Sequence, residues 1–464
     1  MTSWTGEFLS QSTAGQWLSP VGPSREFSGV STDTRAILLG QVFVAIRGDQ
    51  FDGHEFLKDA ARAGATAAMV HRVPRDVPAG LALLRVADTR KALGDLASAH
   101  RSRLNARVIA VAGSNGKTTT TRLIDAVLSA SIKGTASAKS FNNDIGVPLT
   151  ILRATPEDRY LLCEVGTNAP GELLPLARVI RPDVAVLTSI GREHLEGFST
   201  LEGVIKEELS ILDAIAPGGC VIVNADNEIL DRAVTVRAPS CARRRVGGRG
   251  DSELEFTLRS TSFNGSTFSL GGRECTTRLL GAHNALNAAL ALAVSREMGL
   301  DWSTSIKGLA SATGAPMRLE AVEAGGIRVL NDAYNANPDS VLEALRVFSS
   351  VKPAGSRGVV VFADMLELGS EAPALHREIG RAIATTPGVD RAIFIGDLSR
   401  HAAEEAIATM APASVTRHDH ADDQTVTMVA EMLEPGDFVL LKGSRRNALE
   451  RIIRRLSPAA AFAR

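Results

Sequence analysis

Excess charge of either sign is missing from this chain: 51 lysines and arginines stand against 52 aspartates and glutamates, a net charge of −1. Without a surplus there is no general field to hold a nucleic-acid backbone or an anionic membrane surface. Long apolar runs are missing too. No stretch approaches the ~20 residues that span a bilayer, so no integral membrane segment is expected. The opening MTSWTGEFLS has no basic segment followed by an apolar run, which argues against a secretory signal. Cysteine is sparse: Cys163, Cys220, Cys241 and Cys275 stand far apart, with no C-x-x-C spacing. Neither a disulfide framework nor a zinc site is expected, and the pattern fits reduced thiols in a cytoplasmic protein. The chain shows no internal repeat and no low-complexity linker.

What remains is an ordinary globular composition, 44% hydrophobic and 22% charged, long enough at 464 residues for two to four domains. GQVFVAIRG (40–48) reads as a strand. HEFLKDAARAGATAAMVHR reads as a helix ending near Gly64 and a second strand, a β-α-β pattern that continues to about Val86. DTRKALGDLASAHRSRL is then a helix with Asp88 as its N-cap. From Val108 onward strands and helices alternate. RYLLCEVG, PDVAVLTSI and GGCVIVNADN are short, apolar and β-branched, as buried parallel strands are. Residues 252–278 read as a small antiparallel excursion and GAHNALNAALALAVSREMG as a strong helix. After a break near SATGAPMRLE, four more strands alternate with helices: GIRVLNDAY, SRGVVVFADM, RAIFIGD and GDFVLLKGS. The tail SPAAAFAR reads as loose. The fold class is α/β, with a doubly wound, mostly parallel sheet at its centre.

The sharpest chemical signal is VIAVAGSNGKTTTTRLIDAVL (108–128). An apolar strand enters a glycine-bounded turn, Gly113-Ser-Asn115-Gly116-Lys117-Thr118-Thr119, from which a helix starts. Backbone N–H groups of such a turn and the helix N-terminus accept phosphate charge. Glycine lets the backbone approach without a Cβ. Lys117 would reach the β- and γ-phosphates, and the Thr118 hydroxyl would ligate Mg²⁺. The spacing is shorter than G-x-x-x-x-G-K-[ST]. Glu164 ends the strand LLCEVG, and His194 follows another strand in LTSIGREHLEGF. Ligands of open α/β sheets sit beyond the carboxyl ends of the strands, so Thr118, Glu164 and His194 could meet around a phosphate-bound metal. Singly, Glu164 could be a capped loop carboxylate and His194 a surface histidine. In LEGVIKEELSILDAI the apolar face comprises Leu201, Val204, Ile205, Ile211, Leu212 and Ile215, and Glu208 falls on it, with Lys206 roughly opposite. A carboxylate on a buried stripe needs a metal, a cation or a donor.

These stretches, in this order, resemble the Mur ligase family, which builds the peptide of bacterial cell-wall precursors. STDTRAILLGQVFVAIRGDQFDGHEF, GSNGKTTT, FNNDIGVPLTIL, EVGTN, HLEGFSTLEGV, GAHNALNAALALA, RLE, NDAYNANPDSV, ADMLELGSEAPALHREIG and LLKGSR carry the resemblance across nearly the whole chain. It implies three α/β domains: a UDP-substrate-binding domain over 1–86, a central ATP-binding P-loop domain over 87–314 and a C-terminal Rossmann-like ligase domain over 315–464. It implies ATP and Mg²⁺. Gly113, Asn115, Gly116, Lys117, Thr118 and Thr119 would cradle phosphate. Asn284 would lie on the adenine side, and Arg318, Asp332 and Tyr334 would contact nucleotide from the C-terminal domain. Glu164 and His194 match magnesium ligands. Ser31, Asp33, Thr34, Arg35 and Asn143 fall in substrate-binding motifs. The implied reaction joins a carboxylate to an amine through an acyl phosphate. Its substrates would be a UDP-linked muramoyl peptide and an amino dipeptide.

Three departures stand out. Glu208 occupies the place of a lysine that the family usually carbamylates, with EELS for A-K-G-E. Ala169 replaces a histidine, and Ala363 a glycine. The first predicts that Glu208 itself supports the second magnesium, directly or through water. A Mur-like ligase joining another carboxylate to another amine outside peptidoglycan synthesis is the alternative, and a non-catalytic nucleotide-binding partner is a further one. A folylpolyglutamate-type ligase would not need the N-terminal domain. Nothing in the sequence sets the oligomeric state.

Overall fold

The computed structural model describes residues 4–48, 50–138, 141–237 and 241–456; the tail from Ser457 lies outside them. Three sheets organise the chain. The first has the strand order Gln16–Trp17, Ala82–Arg85, Ala67–Val70, Val42–Val44, Val30–Ser31, parallel except for Gln16–Trp17. A short ribbon of Trp4–Thr5 against Glu26–Phe27 flanks it. The helix that follows, Thr89–Arg101, starts where Asp88 accepts hydrogen bonds from the N–H groups of Arg90 and Lys91, the capping expected of an aspartate before a helical run.

The second sheet has nine strands in the order Arg273–Thr277, Gly265–Leu270, Leu254–Ser262, Ala242–Gly247, Cys220–Asn224, Val184–Leu187, Arg107–Ala112, Tyr160–Glu164, Gly134–Ala136. Arg107–Ala112 lies between two later strands, both parallel to it. The chain leaves this strand at a switch point, and the loops after its two neighbours open on the same crevice. The strand alternates between two cores. Val108, Ala110 and Ala112 pack with the first sheet and the helix Thr89–Arg101, while Ile109 and Val111 pack with Leu123, Ile124 and the helix Ala282–Glu297. Burying each valine, leucine or isoleucine among them contributes ~1.5–3 kcal/mol. In Ala282–Glu297 every residue from Asn284 to Ser295 is buried. Its alanines allow close approach to the helix Lys117–Ser129, which begins at the phosphate turn.

The third sheet runs Glu320–Ala324, Ile327–Asp332, Phe438–Lys442, Gly358–Ala363, Arg391–Ile395, Val415–His418, with only the first strand antiparallel.

Two expectations change and one gains detail. The small antiparallel excursion expected over 252–278 is present as Leu254–Ser262, Gly265–Leu270 and Arg273–Thr277, and it extends the central sheet because Val246 and Gly247 pair with Leu254 and Glu255 in parallel. The strand it pairs with, Ala242–Gly247, is hidden in the sequence by three consecutive arginines. Two of them find acids: Arg244 pairs with Glu297, and Arg245 with Asp231 and Asp251. The single helix expected over 201–215 is two pieces, an α-helix Leu201–Glu208 and a tighter 3₁₀ segment Leu209–Ala214. The third sheet has six strands, two more than expected. Glu320–Ala324 and Val415–His418 are edge strands, with too little buried apolar surface to show as runs.

Candidate active site

The phosphate turn is held open by glycine. Gly113 has φ +120° and Gly116 φ +88°. A Cβ on Gly113 would lie 2.5 Å from Thr188 Oγ1, and one on Gly116 2.9 Å from Asn287 Oδ1. Neighbouring strand ends brace the turn: Ser114 N donates to Ser189 O (2.8 Å) and Asn115 N to Ser189 Oγ (3.0 Å). Lys117 Nζ folds back onto the turn, donating to Gly113 O (2.6 Å) and Ser114 O (3.2 Å). Burial pulls the Lys117 pKa down, but Glu193, Glu208 and Glu164 outweigh it and the net shift is upward. The ammonium is the local counterion of three buried carboxylates.

Glu164, fully buried, accepts on Oε1 from the Thr118 hydroxyl (3.0 Å) and from Asn142 Nδ2 (2.9 Å). Its Oε2 is buried without a hydrogen-bond partner. Burial raises the carboxyl pKa, opposed by Arg318 and Lys117. His194 sits in the left-handed region at φ +47°, an uncommon posture that accompanies functional loops. Its Nδ1 lies 2.6 Å from Glu367 Oε2, and its Nε2 faces Glu193 Oε2 at 3.8 Å. Burial lowers the imidazole pKa, yet the Glu367 bond and the charge of Glu193 shift it upward overall.

The opposite wall comes from the third sheet. The Arg318 guanidinium lies 4.2 Å from the Tyr334 ring centroid. Arg318 is held between Met317 (φ +59°) and Leu319 (φ +50°), both left-handed. Leu319 N donates to Asp332 Oδ1 (3.0 Å), and Lys442 Nζ donates to Asn335 O (2.7 Å) and pairs with Asp332 Oδ2 (2.7 Å). On the helix Ala282–Glu297, Asn284 Nδ2 donates to Leu280 O (2.9 Å).

Asn115, Gly116, Lys117, Thr118, Thr119, Glu164, His194, Asn284, Arg318, Asp332 and Tyr334 all line one cleft of about 880 Å³, a size that suits a nucleotide. Gly113 lies at its back, shaping the turn. Glu208 is not on the cleft wall. It is completely buried, its Oε2 accepts from Gly113 N (2.7 Å) and its Oε1 has no partner. Burial, with Lys117 opposing, pushes its carboxyl up to about 7. Ser31, Asp33, Thr34, Arg35 and Asn143 lie outside the cleft. Ser31 Oγ donates to Asp33 O and accepts from Asp33 N, and Asp33 pairs with Arg35 (2.8 Å), which holds the Asp33 carboxyl down to about 2. Asn143 accepts from Ile145 N and Gly146 N at the start of the helix Gly146–Arg153.

Sequence reasoning missed Asn142, Glu193, Arg192 and Lys442. Asn142 was one residue from the asparagine chosen, and Glu193 directly precedes His194. Hard oxygen donors with an orphaned carboxylate oxygen beside a phosphate turn are what Mg²⁺ requires, since it keeps several waters and completes its shell from phosphate. Thr118 and Glu164 offer such oxygens, and His194 would add a nitrogen donor through Nε2.

Comparison with known proteins agrees with this geometry. Residues 26–101 match the Mur ligase family catalytic domain, 111–295 the Mur ligase middle domain and 317–445 the Mur ligase glutamate ligase domain. The UDP-N-acetylmuramoyl-tripeptide–D-alanyl-D-alanine ligase of Bacillus subtilis (strain 168) is 33% identical over 98% of this chain and 99% of its own. The ligase of the same name from Escherichia coli (strain K12) is 35% identical over 94% and 95%. Among solved structures, MurF from Acinetobacter baumannii superposes with a TM-score of 0.88 at 28% identity, covering 98% of this chain and 99% of that one. The MurF ligase of Thermotoga maritima in complex with ADP has a TM-score of 0.77 at 24% identity, covering 92% and 96%, and shares the fold. A strand-to-helix phosphate turn faced by a second Rossmann-like sheet, matched along almost its full length, places the chain in the Mur ligase family.

Proposed function

We propose that this ligase adds D-alanyl-D-alanine to UDP-N-acetylmuramoyl-tripeptide, forming the pentapeptide precursor of peptidoglycan in the cytoplasm. The observation that carries the reading is the single cleft in which Lys117, Thr118, Glu164 and His194 face Arg318, Asp332 and Tyr334. The names of the relatives supply the substrates.

The substrate carboxylate attacks the γ-phosphorus of ATP, giving an acyl phosphate and ADP. The incoming amine then displaces phosphate and leaves the new amide. Lys117 leaves the carbonyls of Gly113 and Ser114 for the phosphate oxygens. There it offsets the charge that spreads over them in the transfer, catalysis being largely positioning and electrostatics. The backbone N–H groups after Gly113 and the start of the helix Lys117–Ser129 bind the phosphates. Arg318, stiffened by its left-handed neighbours and by Tyr334, closes over the nucleotide from the other side, and that closure keeps water from the acyl phosphate. Mg²⁺ held by Thr118, Glu164 and His194 would supply charge neutralisation at the phosphates. The sheet of residues 16–85, with Ser31, Asp33, Thr34 and Arg35, binds the UDP portion, and the C-terminal sheet presents the amine.

Incubation with ATP, Mg²⁺, UDP-N-acetylmuramoyl-tripeptide and D-alanyl-D-alanine should yield the pentapeptide by mass spectrometry, with one ADP and one phosphate per product. Lys117→Ala should abolish it. Amide formation only with a different carboxylate or amine would move the enzyme to another pathway.

A further inference from the structure

We infer that Glu193 is a ligand of a divalent cation beside the phosphate turn, and that Glu208 holds the turn instead. The inference rests on the reading of the cleft as a nucleotide site.

Both glutamates count among the charges that act on Lys117. Their surroundings differ. Glu208 is fully buried and outside the cleft, with one oxygen committed to Gly113 N at 2.7 Å. A carboxylate on that amide fixes the first residue of the turn. Glu208 Oε1 is unpaired, but the residue does not line the cleft, and moving the carboxyl toward the phosphates would strain the bond to Gly113 N. Glu193 lines the cleft and is 5% exposed. Its Oε2 lies 3.6 Å from Lys117 Nζ and 3.8 Å from His194 Nε2, and its Oε1 is buried with no partner. A carboxylate oxygen left unpaired in a buried position is costly, and a cation entering with the nucleotide removes that cost. When Lys117 turns to the phosphates, the Glu193 carboxylate keeps the Ser114 hydroxyl and the imidazole of His194 as neighbours. A carboxylate and an imidazole on adjacent residues then face one point. Glu164, with its own unpaired Oε2, lines the cleft from the strand on the other side of Arg107–Ala112.

Among the described residues no three such side chains already form a cage. A hard cation here would draw on one or two carboxylates, water and phosphate.

The test is Mn²⁺ binding, followed by electron paramagnetic resonance on the full-length protein with saturating ADP and without turnover. Glu193→Gln should weaken Mn²⁺ at least about tenfold, as loss of a metal-site group does. Glu193→Asp, which keeps the charge, should recover part of it. Glu208→Gln should stay within about threefold of wild type, since Gln still accepts from Gly113 N. Circular dichroism melts establish that each variant is folded. Wild-type Mn²⁺ affinity in Glu193→Gln, or a larger loss in Glu208→Gln, overturns the assignment. Product formation by the wild type is a separate measurement, so the ligase reading stands or falls without this one.

Discussion

Adjacent glutamates at the end of one short helix act on two different loops. Glu208 accepts from Gly113 of the phosphate turn, while Glu207 accepts from Gly171 N (2.8 Å) and Leu173 N (2.7 Å), at the start of the helix Leu173–Ile180. Neither amide has an intrahelical partner at that position. Glu207→Ala should therefore strand two donors and cost about 2–4 kcal/mol of stability, measured by urea denaturation. A loss below ~1 kcal/mol would mean that water replaces the carboxylate without penalty. At this scale the sequence was legible where chemistry depends on chain order: G-x-x-G-K-T-T carries its own geometry, and Lys117 and Thr118 stand where the motif puts them. It was not legible where contact is made across the sheet. Nothing local distinguishes Asn142, which donates to Glu164, from Asn143, which caps a helix. The helical phase correctly buries Glu208 but does not say that its partner is an amide 95 residues earlier.

Among the elements, the helix Thr89–Arg101 ties two parts of the chain together. His100, near its end, is buried. It takes a hydrogen bond from Trp4 Nε1 on Nδ1 (3.2 Å) and places Nε2 2.9 Å from Ala154 O. This arrangement fixes the neutral ring with its proton on Nε2. Burial, partly offset by the Ala154 bond, lowers the His100 pKa below the ordinary imidazole value. Below about pH 6.5 the unfolded chain protonates this histidine while the folded protein resists. The unfolded state then binds more protons, so the stability His100 contributes is present above about pH 6.5 and is lost as the pH falls below it. Urea midpoints taken from about pH 7.5 down to 5.5 should decline, and His100→Gln should decline less steeply. Equal slopes would show that other groups carry the acid sensitivity. The helix itself was easy to foresee, because Asp88 and the apolar spacing agree. The strand Ala242–Gly247 was not, because two of its three arginines are neutralised by acids from other elements and loops.

Across the whole molecule, the C-terminal sheet is fastened over the phosphate turn by polar contacts. Arg192 spans Asp339 (2.8 and 3.1 Å) and Glu378 (2.8 and 3.0 Å), and its N–H also donates to Asp339 (2.7 Å). Asn337 Nδ2 donates to Asn115 Oδ1 (2.9 Å), and His194 meets Glu367. The Arg192 pairs are about one-third exposed, so each contributes modestly and weakens with salt. Together they bias a domain equilibrium. Arg192→Ala should raise the radius of gyration of the nucleotide-free protein in small-angle scattering and raise the KM for ATP about three- to tenfold. An unchanged radius and KM would mean that apolar contacts alone hold the domains. The boundary expected near residue 86 separates sheets, but it does not separate cores: Trp4, Leu9 and Phe27 pack in one apolar cluster with Val108 and Ala110. Periodicity marks where a sheet ends; it carries no information about which sheets share an interior.

The two junctions therefore differ as places to exchange parts. At the C-terminal junction the central domain contributes Leu280 to the neighbouring core, with Leu195 and Phe263 at its rim, beside a handful of charged pairs. A recombinant that takes everything after about residue 314 from a relative needs only those few positions to match. A graft ending at residue 86 must re-create an interior, side chain by side chain, against Thr89–Arg101 and the strand Arg107–Ala112. Lineages that shuffle the C-terminal module thus meet a low barrier, whereas the N-terminal and central modules have to be inherited together.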